Sequence, residues 1–168
     1  LTSKIDVSAL TSRCDGLLVF QTSTYANKIY AMCEDGLWTL SAGTWVHSYT
    51  LSVPAVGSHL EWTWCIIENT LYMYRQANTV VYKVIANGTL SSFTPSFLTM
   101  AGQMGIFRAN GRLGFWDSAN SVSWSSLFDH SDFTPSLNTL AGNRIFNAVI
   151  GRIVVIRAKS DGFVIYCT

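Results

Sequence analysis

Phe93-Thr94-Pro95-Ser96, followed by Thr99-Met100-Ala101-Gly102, returns as Phe133-Thr134-Pro135-Ser136 followed by Thr139-Leu140-Ala141-Gly142. Every matched position is displaced by 40 residues, and Gly111-Arg112-Leu113 answers to Gly151-Arg152-Ile153 at the same displacement. Upstream the frame weakens but persists, with Pro54 lying 41 residues before Pro95 and Asn69 lying 41 before Asn110. Identities this dense in one frame mark a duplicated structural unit, and a period near 40 residues restricts the architectures to repeat folds.

Each unit reads as short apolar strands separated by tight turns. In the third, Met104 to Arg108 leads through Asn110-Gly111 into Arg112 to Trp116, then through Ser118-Ala119-Asn120 into Ser121 to Trp124. The second gives Trp62 to Ile67, a turn at Glu68-Asn69, Leu71 to Arg75, a turn at Ala77-Asn78, and Thr79 to Val84. The fourth gives Phe146 to Ile150, Arg152 to Arg157, a turn at Ser160-Asp161-Gly162, and Phe163 to Cys167. A shorter first unit gives Lys28 to Cys33, Asp35-Gly36, Leu37 to Leu40, Ala42-Gly43, and Thr44 to Tyr49. Asn-Gly and Asp-Gly supply the positive φ that two-residue hairpins need. The rest of each unit, rich in Ser and Thr with a Pro, reads as loop.

Composition agrees. Ser and Thr together make 35 of 168 residues while charged residues are only 12%, so the polarity is hydroxyl rather than ionic. Thr, Val, Ile and aromatic residues favour pleated surfaces, and the helix formers Glu, Lys, Gln and Arg are scarce. The expectation is an all-β β-propeller of about four visible blades, with repeat units near 15–57, 58–99, 100–142 and 143–168 of a single domain, 1–168. Trp38, Trp45, Trp62, Trp64, Tyr72, Tyr74, Phe115, Trp116 and Trp124 would fill the wedges between blades. The chain starts at Leu1 and stops inside a strand-like segment, and four units sit at the low end of propeller size. The expectation is therefore part of a larger ring.

A net charge of +1 with 49% hydrophobic residues excludes disorder and charge-driven nucleic-acid binding. A surface with so few charges is poorly defended against association, so neighbouring subunits are expected to cover much of it. No apolar run is long enough for a membrane span, and Leu17-Leu18-Val19-Phe20 is too short for a signal peptide. Cys14, Cys33, Cys65 and Cys167 match no zinc spacing and read as buried free thiols of a reducing compartment. Asn87-Gly88-Thr89 fits a glycosylation acceptor but reads as a hairpin turn.

The segment Ser123-Trp124-Ser125-Ser126-Leu127-Phe128-Asp129-His130-Ser131-Asp132-Phe133-Thr134-Pro135-Ser136 resembles a blade motif of the tail hub, or nozzle, proteins of short-tailed bacteriophages. In that family a Trp-Ser pair leads into a loop with two Asp and an aromatic, and Gly-led apolar strands follow. Here those strands would be Gly151 to Ile156 and Gly162 to Tyr166, so the likeness covers about the last third of the chain. His130 stands where a turn former is expected. The resemblance implies a propeller body assembled as a homo-oligomeric ring in the virion, put together in the host cytoplasm. Its neighbours would be the adaptor, tail fibre or spike, and needle proteins, and the genome would pass through its lumen without sequence-specific binding. It implies no cofactor and no enzymatic activity. A carbohydrate- or receptor-binding propeller is the alternative, from the six Trp and seven Tyr.

Chemical motifs are weak. Asp129-His130 beside Ser125 and Ser126 suggests a hydrolase triad, but no nucleophile elbow accompanies it, and Asp129 and Asp132 read as turn caps. His59 and Glu61 have alternate strand spacing without a third ligand. Asp117, Asp129, Asp132 and Asp161 lie in or beside turns, where paired glycosidase carboxylates are not expected. Glu34-Asp35-Gly36-Leu37-Trp38 partly matches a sialidase turn. No catalytic, cofactor-binding or metal-binding residue is assigned.

Overall fold

The computed structural model describes residues 8, 10–21, 27–55, 58–146, 151–159 and 162–168. Among these the chain is all-β, with 14 strands in four antiparallel sheets and no helix. It divides into two compact units, Leu1–Leu60 and Glu61–Thr168.

The first unit carries one sheet, in the order β1 (Cys14–Phe20), β2 (Lys28–Cys33), β3 (Gly36–Ser41) and β4 (Thr44–Thr50). Lys28–Cys33 is thus the second strand of its sheet and not the first. The alternating burial of Leu18 and Phe20 against exposed Leu17 and Val19 makes the stretch before it a half-buried edge strand. Inside, Ala31, Cys33, Trp38 and Trp45 form a cluster.

The second unit carries three sheets. One runs β5 (Trp62–Ile67), β6 (Thr70–Arg75), β7 (Val81–Val84), β8 (Leu90–Phe93). The next runs β9 (Gln103–Ala109), β10 (Arg112–Asp117), β11 (Ser121–Trp124), β12 (Gly142–Ile145), and the last pairs β13 (Ile153–Lys159) with β14 (Gly162–Cys167). The hairpin turns follow their residues: Asn110 and Gly111 take φ of 48° and 72°, the paired left-handed geometry that suits the twist of the flanking strands. Asn87 Oδ1 accepts from the Thr89 amide, so Asn87-Gly88 is the expected turn between β7 and β8.

Strands β9, β10 and β11 are buried on both faces, because successive side chains on a strand point oppositely, whereas β12 is largely exposed. Ile106, Leu113 and Phe115 join Ile67, Tyr72, Tyr74 and Val81 of the sheet β5–β8 in one cluster. Phe107, Trp116 and Val122 join Ile153 and Ile156 of β13 in another. Full burial of each such side chain contributes about 2 kcal/mol, so stacking sheets on both sides is the main stabiliser here. Gly114 makes it fit: a Cβ there would stand 2.3 Å from the Phe107 ring.

Three expectations need correction. The loop-like remainder of two units contains a fourth strand, β8 and β12. Gly142–Ile145, placed by the repeat ahead of the fourth unit's first strand, instead pairs with β11. The segment between them is folded into turns capped by Asp129 and Asp132, so the outer edge of β11 is taken by the next extended stretch, with Trp124 packed over Gly142. Consequently the two Phe-Thr-Pro-Ser stretches sit at different places, the first at the end of β8 and the second between β11 and β12. They meet neighbouring backbone all the same: the Ser96 amide donates to Ser131 O at 2.8 Å. The expected strand Phe146 to Ile150 and the turn at Ser160-Asp161 fall, beyond Phe146 itself, outside the described residues. The thiols are free as expected, but only Cys33 is buried; Cys14 and Cys65 are half-buried and Cys167 is exposed.

Candidate functional site

The first strands β5, β9 and β13 of the three stacked sheets lie beside one another, β9 in the middle. No ladder joins them. Where β5 meets β9, the Thr63 hydroxyl accepts from the Ile106 amide at 2.9 Å, satisfying a group that a paired strand would otherwise satisfy. The approach requires Gly105, since a Cβ there would lie 2.3 Å from the Trp116 ring and 2.8 Å from Thr63 Cγ2.

The three strands frame an open cleft of about 550 Å³, lined by Glu61 to Ile66, Ile106 to Arg108, Trp116, and Val154 to Ala158. Its exposed floor is mixed. Trp64 is 45% exposed and Val154 52%, so these apolar surfaces face solvent and are available for contact. Arg108 and Arg157 add positive charge, and Arg108 Nη1 donates to Ile66 O at 3.2 Å. At the β9–β10 turn end a smaller opening of about 260 Å³ brings Arg108 and Lys159 together with Glu68. Cys65, between Trp64 and Ile66, has its thiol pushed up to about 12 by burial and stays protonated at neutral pH. An aromatic face flanked by guanidinium groups can hold a planar or a sugar-like surface by stacking, or an acidic group by hydrogen bonds.

The residues singled out in the sequence are distributed elsewhere. His130 Nδ1 accepts from the Tyr72 hydroxyl at 2.6 Å, and its Nε2–H donates to Gly111 O at 3.0 Å. Burial holds the Tyr72 phenol up at about 12, so it remains a donor. Ser125 is fully buried, donating to Ser126 O and accepting from the Leu113 amide. Both histidine nitrogens and the serine hydroxyl are therefore engaged in holding a loop, and the triad geometry is not assembled. Asp129 Oδ1 accepts from the Ser131 hydroxyl and amide, which lower its pKa; Asp132 Oδ1 accepts from the Thr134 amide and the Ser96 hydroxyl, and its pKa is lowered first by the Thr134 side chain, then by the Thr134 amide. Asp117 caps Ala119 and Ser121. All three are turn caps, as expected; Asp161 lies outside the described residues. His59 Nδ1 meets an Arg13 guanidinium nitrogen. Among the described residues no three His, Cys, Asp or Glu side chains gather at metal-binding distance.

In the first unit the Glu34 to Trp38 turn holds a buried carboxylate. Asp35 accepts from Thr11 Oγ1 at 2.6 Å, Ser12 Oγ at 2.5 Å and Trp38 Nε1 at 3.0 Å, and its own amide donates to Ser12 Oγ. His47 stacks on Trp38 at 4.3 Å and contacts Asp35 O. Burial alone would raise the Asp35 pKa, but the hydrogen bonds from Ser12, Thr11 and Trp38 outweigh it and lower the value. Both oxygens of this carboxylate have local donors, so the arrangement is a fastening and not a substrate site.

Sequence reasoning found the aromatics but not the cleft's cations. Of the named aromatics, Trp38, Trp45, Trp62, Tyr72, Tyr74, Phe115 and Trp116 are buried, Trp124 is half-buried, and Trp64 faces the cleft. The signal for Arg108 and Arg157 was present as a cation directly after an apolar run, Gly105 to Phe107 in one strand and Ile153 to Ile156 in the other. Neither a family model, nor a curated protein, nor a solved structure matches the chain.

Proposed function

We propose that the chain is the body of a β-propeller that works by holding shape, as a structural tail hub or nozzle subunit of a short-tailed bacteriophage. The single observation that carries this reading is the convergence of β5, β9 and β13 on one cleft, while the first three strands of the middle sheet are buried on both faces. Sheets stacked in this way, each offering its first strand to a common axis, are what ring closure requires. The likeness of Ser123 to Ser136 to the hub blade motif directs the reading to a virion ring, contacting adaptor, fibre or spike, and needle proteins, with the genome passing through. The small net charge supports a conduit, because a strongly basic bore would retain DNA by its phosphates. Negative-stain microscopy of the purified full-length protein tests the reading. Rings with a central bore and binding to other tail proteins are expected; a stable monomer without either overturns it.

A second reading, a carbohydrate- or receptor-binding propeller, is favoured by the exposed Trp64 indole beside Arg108 and Arg157. A glycan array separates the two: saturable sugar binding that disappears in Trp64→Ala would place this reading first.

A further inference from the structure

Strands β5, β9 and β13 each give one edge to the second strand of their sheet, β6, β10 and β14, and border the cleft with the other. A further sheet stacked beside them would bring its own first strand to the rim and leave this opening in place. Side chains already answer part of the unladdered backbone, Thr63 the Ile106 amide and Arg108 the Ile66 carbonyl.

Other polar groups of the cleft have capacity to spare. Trp116 is 2% exposed, and its Nε1–H is buried with no hydrogen-bond partner among the described residues. A buried donor left in this way costs stability until an acceptor reaches it. Arg108 and Arg157 are exposed, and neither forms an ion pair among the described residues. Glu61 is the one carboxylate of the lining, so two cations against one anion leave a surplus of one positive charge. That surplus matches a carboxylate; the second charge of a phosphate would be left facing Glu61. Glu61 itself accepts from hydroxyl groups, and the half-exposed Trp64 offers a flat apolar face to the C–H side of a ring.

We infer that this cleft is a binding site for an acidic saccharide of the uronate class. The carboxylate lies with Arg108 and Arg157, the sugar ring packs on Trp64, and the hydroxyls reach Glu61 and the Trp116 N–H. A ring that carries one negative charge and several hydroxyls meets all four demands at once, whereas a neutral sugar leaves the arginines unanswered and a simple anion leaves Trp64 bare. The inference rests on the carbohydrate-binding reading and names its sugar class; it is independent of ring formation.

The test titrates the whole chain calorimetrically with a glucuronate-containing tetrasaccharide, and with the same compound after its carboxyl groups are reduced to hydroxymethyl groups. Saturation by the acidic compound is expected below about 1 mM, with the reduced compound binding about tenfold more weakly. That preference should vanish in Arg157→Gln, a change at an exposed residue checked by an unchanged melting temperature, and return in part in Arg157→Lys. Trp64→Ala should weaken both compounds about tenfold. Equal affinity of the native chain for the two compounds overturns the inference and leaves the carbohydrate-binding reading standing, whereas absence of saturation by either up to about 1 mM overturns both. Glucose 6-phosphate competing more strongly than glucuronate overturns the choice of a carboxylate. A preference for the acid that survives in both Arg108→Gln and Arg157→Gln puts the ligand elsewhere and overturns the site.

Discussion

The two units fasten their sheets by opposite means. In the first, a buried carboxylate gathers two hydroxyls and an indole, and Asp35 ties the start of β1 to the β2–β3 turn. In the second, rings do the equivalent work: Phe115 packs edge-on against Tyr74 at 5.3 Å and Phe133 at 5.5 Å, so three elements share one aromatic centre. Directional bonds to a charge tolerate little displacement and answer to pH. Ring packing is insensitive to pH and depends instead on volume. The difference teaches which perturbation each unit should feel.

The largest separation is expected from Phe115→Ala, which empties the centre of the stacked sheets and should cost about 4 kcal/mol. Hydrogen exchange should accelerate in β9 and β10 while β2 and β3 keep their rates; equal acceleration in both would erase the distinction drawn here. Asp35→Ala should act in the reverse sense, costing about 3 kcal/mol, because Thr11, Ser12 and Trp38 are left as donors without an acceptor. Acid sharpens the same contrast. The Asp35 pKa is lowered in the folded chain, so its stabilisation is fully present above the ordinary carboxylate value of about 4 and is lost as pH falls through the folded value. Tryptophan fluorescence in acid should report Trp38 and Trp45 before the Trp116 environment, and Asp35→Asn should remove that early step. Gly114→Ala probes volume alone: a methyl pressed against Phe107 should cost about 2 kcal/mol by chemical denaturation and leave the acid step unchanged. The smallest effect, about 1 kcal/mol, is expected from His130→Ala, which releases the loop bonds to Tyr72 and Gly111.

The strands and hairpins were legible because their signals are local: Asn110-Gly111 can hardly be read as anything but a turn, and Trp62 to Ile67 is extended by composition. Strand order was legible only where turns were short. The repeat of Phe-Thr-Pro-Ser placed Gly142–Ile145 by its chain position, whereas pairing placed it by which edge lay open, and an open edge is not a property of the segment that fills it. The buried Asp35 could be seen as a turn residue but not as a hub, since Thr11 and Ser12 reach it from more than twenty positions away. The cleft was the least visible feature. Trp64 shares a strand face with the buried Trp62, two residues before it, and only Tyr82, which packs on Trp62 from another strand, separates their fates.

Where β5 meets β9, one threonine oxygen and one absent methyl group keep two backbones at their distance. The calibre of the opening they border is thus set by the size of two small residues and not by the fixed spacing of a strand ladder. Such a junction behaves as an adjustable gauge: exchanging Thr63 or Gly105 for something bulkier would widen the gap without altering the strands themselves.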